Sequence, residues 1–165
     1  MRTIVAVALA ALVLIPTGSA AQRATFETSL VHQINDIRRA HRLRPLVPSA
    51  KLARAAAQHT VDMGTRGYFE HESHDGTPFW KRVARWYPSR GWNSWSVGEN
   101  LAYASPDLTP AETLDMWLKS PAHRANLLSR EWREIGLSAV RFPSAPGEFD
   151  GSEAVLVTAD FGARR

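Results

Sequence analysis

The sequence contains no cysteine in its 165 residues. That excludes a disulfide framework, a thiolate nucleophile, a thiolate zinc ligand and a lipid-modified cysteine behind an export leader. The core has to hold the fold without covalent staples, which a chain of this length can do. Long apolar runs are also scarce. The longest, Ile4 to Pro16 ("IVAVALAALVLIP"), is too short to span a bilayer. Neither sign of charge dominates: 20 Lys and Arg face 16 Asp and Glu, for a net charge of +4. The densest basic cluster, "RRAHRLR" at 38–44, lacks the interleaved aromatics of a nucleic-acid stripe and reads as a solvated helix end. There is no internal repeat and no low-complexity segment.

The first residues form a leader. Met1-Arg2-Thr3 supplies a basic start, the apolar run follows, and "TGSAAQ" offers small residues for cleavage after Ala20 or Ala21. The expected organisation is a signal peptide over 1–21 and one domain over 22–165. The expected location is secreted, extracellular or periplasmic. No transmembrane span is expected in the mature chain, and no nucleic-acid partner.

Apolar spacing at Leu30, Ile34 and Ile37 predicts a helix from Thr25 to about Arg42, which Pro45 and Pro48 break. Ser49 is a candidate N-cap for a second helix, Ala50 to about Arg66, ended by Gly67. Its apolar face carries Leu52, Ala56, His59 and Met63, so His59 reads as a core histidine. Thr77-Pro78 reads as N-cap and first residue of a short helix, Phe79 to about Tyr87. "VGENLAYA" (97–104) fits an extended segment or a short helix. Thr109-Pro110-Ala111-Glu112 has capping-box spacing and starts a helix to about Lys119. Ser120-Pro121 opens another, to about Leu128. "IGLSAVRF" (135–142) and "EAVLVTADFG" (153–162) predict two strands joined by "PSAPGEFDG". Helices first and strands last indicate α+β.

Three polar residues stand in apolar surroundings: His71, Glu99 and His123. A buried carboxylate needs partners, and two imidazoles could supply them. Three readings stay open: a hydrogen-bonded network, a reversible metal site, or a catalytic set. His74, next to Asp75-Gly76, belongs to a turn. Trp80, Trp86, Trp92 and Trp95 crowd one stretch. They either pack on the core or, at Trp92 and Trp95, form a rim for a ligand.

Five blocks taken together, "YFEH", "VGENLA", "WLKSPAHRANLL", "EIGLSAV" and "VTADFG", resemble the signature blocks of the CAP superfamily. The superfamily includes cysteine-rich secretory, venom-allergen and plant pathogenesis-related proteins. The cysteine-free form with "SPAHRANLL" resembles its bacterial branch, the SCP-like extracellular domains. The resemblance covers roughly Glu27 to Gly162. It implies an α-β-α sandwich with a small antiparallel sheet between helices. It also implies a cavity of two histidines and two glutamates that holds zinc in some members. His71 matches the first histidine, Glu99 the glutamate of the "GEN" block, and His123 the second histidine. The second glutamate falls at Ser120, so the tetrad is incomplete. Zinc, if bound, would rest on His71, His123 and Glu99. Ser120 otherwise reads as the cap of the helix that follows it.

The function this points to is a binding or signalling module for an extracellular peptide, glycan or lipid. A metal-dependent extracellular hydrolase, with Glu99 moving the proton, is the alternative. Lipid or sterol binding is another. Resemblance in fold does not decide between them.

Overall fold

A computed structural model describes residues 19–165. Residues 1–18, most of the expected leader, lie outside the described residues. The chain runs α1 (Ala20–Ala40), β1 (Val47–Pro48), α2 (Ala50–Arg66), α3 (Phe79–Trp86), β2 (Trp95–Ala104), α4 (Pro110–Lys119), α5 (Pro121–Leu127), β3 (Glu134–Phe142) and β4 (Ala154–Arg164). A 3-10 turn, Gly147–Phe149, lies in the β3–β4 connection.

Several helix ends follow from local chemistry. Thr109 and Glu112 form the capping box at α4, each satisfying the other's backbone N–H. Gly67 ends α2 at φ 73°, a left-handed conformation that glycine adopts without a Cβ penalty. Other ends depart from expectation. α1 starts at Ala20, ahead of the expected Thr25: in the uncleaved chain Ser19 and Gln22 make a second capping box, which the expected cleavage after Ala20 or Ala21 would remove. Ser49 and Ser120 occupy cap positions, but their hydroxyls make no capping bond. Pro78, not Thr77, is the N-cap of α3.

The four strands lie in the order β1-β3-β4-β2. β2 pairs antiparallel with β4, from Trp95 opposite Arg164 to Ala104 opposite Val155. β3 pairs antiparallel with β4. The expected all-antiparallel sheet is therefore a mixed one, because the two-residue β1 adds to β3 in parallel. Pro48 is tolerated there because β1 is an edge. The ambiguous "GEN" segment is strand, its backbone bonds completed by β4.

Period-two alternation separates two layers. Val155, Val157, Ala159 and Phe161 of β4 join Leu30 and Ile34 of α1 and Trp117 of α4 in one core. The Trp117 indole N–H donates to the Leu101 carbonyl at 2.8 Å. On the other face, Leu156 packs with Met63 of α2, and Leu52 and Ala55 pack with Val83 of α3 and Tyr87. Helices α1, α4 and α5 thus cover one side of the sheet, and α2 and α3 the other: an α-β-α sandwich. Among the described residues, no helix is long and apolar enough to cross a membrane.

Candidate functional site

One row of residues crosses the sheet under α2 and α3. Glu99 on β2 stands opposite Asp160 on β4, and Asp160 opposite Gly136 on β3. Glu99 and Asp160 are both buried. A carboxylate in this position is costly unless paired and hydrogen-bonded.

Glu99 is fully engaged. Its Oε1 meets His71 Nδ1 at 2.8 Å, and its Oε2 accepts from the guanidinium of Arg82. Arg82 lies on the inward face of α3 and is 3% exposed. Its other terminal nitrogen donates to the His71 carbonyl at 2.9 Å. Arg82 therefore holds the strand carboxylate and the loop backbone together. The bond to Glu99 raises the His71 pKa, against the opposing effect of partial burial. The His71 side chain is 46% exposed.

The loop that carries His71 is tied down at further points. Tyr68 donates to Asp62 at 2.7 Å. The Phe69 ring packs edge-on against Tyr103, 4.7 Å between centroids. His59 Nε2 lies 2.9 Å from the Glu70 carbonyl. A carbonyl only accepts, so the His59 proton sits on Nε2 and Nδ1 carries a lone pair. His59 is the core histidine expected on α2, but its Nδ1 has no partner among the described residues. His74 sits edge-on to Tyr68, beside the turn in which Asp75 accepts from the Thr77 N–H at 2.9 Å.

His123 arrives from the other layer. Asn100, next to Glu99 but pointing to the opposite face, donates to the His123 carbonyl at 3.1 Å and receives Asn126 at 3.0 Å. β2 is the sheet edge, so His71 and His123 approach each other around it. They are close enough for His71 to lower the His123 pKa, after the larger effect of burial. Ser120 lies at the α4–α5 junction, where its carbonyl accepts from the Arg124 N–H at 2.9 Å.

Trp92 and Trp95 lie near the start of β2. Trp95 stands four residues before Glu99, roughly 13 Å along a strand. Trp95 donates to the Tyr87 carbonyl at 2.8 Å and joins the Leu52–Val83 cluster as a partly buried ring. Trp92 is 47% exposed. The Arg164 guanidinium lies over both the Tyr87 and Trp92 rings, 3.7 and 4.9 Å from their centroids.

Arg82 and Asp160 are not among the residues that motif spacing singles out. Each has a signal in retrospect. Arg82 shares a helical stripe with Phe79 and Val83, where an apolar residue is the default. Asp160 sits in the otherwise buried strand "VLVTADFG". Both Asp160 oxygens lack hydrogen-bond partners among the described residues. Burial, then the nearby Glu99 charge, pushes its pKa well up and favours the neutral acid.

The arrangement bears on zinc. Among the described residues, no group of three or more His, Asp or Glu side chains stands close enough to hold a metal ion. His71 and His123 offer imidazoles, but both Glu99 oxygens are shared between His71 and Arg82. The donor set as arranged does not fit a three-ligand zinc centre.

His59 makes the fold sensitive to acid. Burial depresses its pKa to about 4 and outweighs the raising effect of the Glu99 charge, with Arg82 adding to the depression. The unfolded chain binds this proton near pH 6.5, the folded chain only near pH 4. The stability His59 contributes is therefore complete above about 6.5 and lost as pH falls toward 4. The full shift corresponds to about 3 kcal/mol. Urea unfolding at a series of pH values should show that loss, and His59→Gln should remove much of it. An equally steep profile in the variant would refute the assignment.

The fold defines a class: α-β-α sandwiches built on a small mixed four-stranded sheet. A sequence model of the cysteine-rich secretory protein family, CAP, matches residues 31–158. The chain belongs to that family. It is 30% identical over 125 residues to YkwD of Bacillus subtilis, covering 75% of this chain and 46% of YkwD. It thus spans about half the length of that relative. It superposes on an outer surface protein of Borrelia burgdorferi with a TM-score of 0.67 at 22% identity, covering 84% and 92% of the two chains. It also superposes on an extracellular SCP-domain protein of Bacillus anthracis with a TM-score of 0.63 at 26% identity, covering 88% of this chain and 44% of the other.

Proposed function

We propose that this chain is an exported CAP-domain binding module, and that Glu99, Arg82 and His71 serve as a clamp rather than as a catalyst. The observation that carries the reading is the full engagement of Glu99. One oxygen is bound to His71 and the other to Arg82, which anchors the buried carboxylate to the loop and to α3 as a structural ion pair. The clamp fixes the 67–78 loop on the edge of the sheet and leaves His71 half-exposed near His123. A peptide, glycan or lipid outside the cell is the class of ligand. Export rests on the leader at 1–21 and is supported by the extracellular description of the Bacillus anthracis relative.

Zinc titration of the metal-free protein by calorimetry tests the reading, with the folded His71→Ala/His123→Ala variant beside it. The expected result is no tight stoichiometric binding in either protein. Saturable binding near one zinc per chain, lost in the variant, would overturn it. It would restore the hydrolase alternative, in which zinc activates water.

Lipid binding has one observation in its favour. A groove of about 630 Å³ lies between α1, α2 and β3, lined in part by Val31, Pro48, Ala53, Ile135 and Leu137. Saturable uptake of a fluorescent fatty acid, blocked by Ala53→Trp, would favour it.

A further inference from the structure

The outer face of α3 and the loop behind it combine aromatic rings with charge of one sign. From Gly76 to Gly98 the chain has Lys81, Arg82, Arg85 and Arg90 and no Asp or Glu. Over the whole chain the two signs nearly balance, 20 against 16. Arg82 turns inward to Glu99, while Lys81, Arg85 and Arg90 are exposed. The same stretch exposes three tryptophans: Trp80 at 45%, Trp86 at 37% and Trp92 at 47%. Apolar residues scattered singly over a surface are ordinary. Three of the largest side chains grouped in one short stretch mark an interaction surface.

Contacts join these residues. Lys81 and Arg85 stand four apart, on one side of the helix. The Lys81 ammonium lies over the Trp80 ring, 5.4 Å from its centroid. At the other end of α3, about 9 Å along the axis, Trp86 donates to Gln58 of α2 at 2.8 Å. The Arg54 guanidinium lies over the Trp86 ring at 5.9 Å. Tyr87 follows directly, and Arg164 spans from the Tyr87 ring to that of Trp92. Each exposed indole therefore has a cation against it.

Nearby acids offset only part of this charge. Arg164 has Glu134 at 3.6 Å. The Asp75 pKa is lowered mainly by hydrogen bonds to Thr77 and to a lesser extent by Arg85. Arg54, Lys81, Arg85 and Arg90 form no ion pair among the described residues.

A partner for such a face has to offer anionic groups beside an apolar layer. Tryptophan favours the headgroup level of a bilayer, and a Lys or Arg beside it reaches lipid phosphate. A soluble anionic polymer would answer the cations and leave the indoles in water. Stacking of its bases on the indoles would compete with the cations already over those rings.

We propose that this face docks the protein on anionic lipid membranes, with Trp80, Trp86 and Trp92 at the headgroup level and Lys81, Arg85 and Arg90 on lipid phosphates. The protein lies on the bilayer through this face. The surface goes beyond the clamp and the groove described above, and does not depend on what either of them binds.

The test is sedimentation with vesicles, using the protein recovered after export so that the apolar leader is gone. Phosphatidylcholine vesicles containing phosphatidylglycerol should carry the protein down, and phosphatidylcholine alone should not. Added salt should weaken the binding. Each basic residue at an anionic surface contributes about fivefold, so Arg85→Gln/Arg90→Gln should weaken binding about twenty-five-fold. Lipids brominated near the headgroup should quench the tryptophan fluorescence of the wild type, and Trp80→Ala/Trp92→Ala should lose most of that quenching. Arg42→Gln/Arg44→Gln removes the same charge from the loop that leaves α1, a helix of the opposite layer, and should leave binding unchanged. An equal loss in that variant would overturn the proposal, because net charge alone would then drive the binding. So would failure to bind the phosphatidylglycerol vesicles, absence of quenching in the wild type, or tighter binding to polyphosphate or single-stranded DNA than to the vesicles.

Discussion

Arg82→Met lowers the unfolding free energy by about 3–5 kcal/mol. The residue sits at 3% exposure with Glu99 beside it, also buried. Methionine fills much of the same volume, so packing changes little. What changes is charge. Glu99 keeps one partner, the half-exposed His71, and loses the guanidinium that offsets its desolvation. The His71 carbonyl loses its donor in the same step. Removing one member of a buried pair is far worse than removing both, because the survivor stays uncompensated. Arg82→Met/Glu99→Gln should therefore recover a large part of the loss. The measurement is urea denaturation at neutral pH with linear extrapolation for the wild type and the single and double variants, with hydrogen exchange across residues 67–78. The single variant should show fast exchange in that loop. A single variant within about 1 kcal/mol of wild type would mean that the pair is not structural.

Gly136→Ala should cost at least about 3 kcal/mol, the upper end of the range for overpacking. Gly136 lies where α2 crosses β3. A Cβ there would press into the backbone at Ala53 N and the Leu52 carbonyl carbon, and would stand 2.6 Å from Leu52 Cβ. Backbone atoms of a buried helix cannot swing aside as a side chain can. The helix has to lift from the sheet, and Leu52 and Ala55 lose their seats against Val83 and Tyr87. For a chain of this length, Tm should fall by roughly 10 °C. Calorimetry decides it: an unchanged Tm would mean that α2 does not seat this closely. Gly136 lies directly beside Asp160 in the sheet register. The substitution should therefore also disturb the buried row that carries the clamp.

These two positions show how differently the sequence speaks. "TPAE" at 109–112 announces its helix because both hydrogen bonds of the capping box close within one turn. Gly67 announces an end because its conformation is local. The two last strands, expected at 135–142 and 153–162 and found at 134–142 and 154–164, are legible from their Val, Ile, Leu, Thr and Phe content on either side of a Pro/Gly loop. "GENLAYA" is not, because its extended form is maintained by bonds to β4, more than fifty residues on. The start of α1 has its capping pair in Ser19 and Gln22, but Ser19 falls inside the expected leader and the periodic apolar residues begin later. Ser49 and Ser120 show the converse: residue types suited to capping whose hydroxyls make no cap.

The site divides in the same way. Motif spacing picks out His71, Glu99 and His123, and the fold joins the first two directly and carries the third to the sheet edge. It does not pick out Arg82, which takes the second oxygen of Glu99 from seventeen residues away. Nor does it pick out Asp160, whose neutral state follows from burial beside Glu99. By itself the sequence determined the family, the order of helices and strands, the absence of covalent staples and most helix ends, because each rests on composition or on hydrogen bonds closed within a few residues. The tertiary structure alone decided which partner each buried charge has, which face of the edge strand it occupies and which buried polar atoms are left without one. Coulomb attraction and desolvation depend on distance and burial in space, and neither is written in the spacing of residues along the chain.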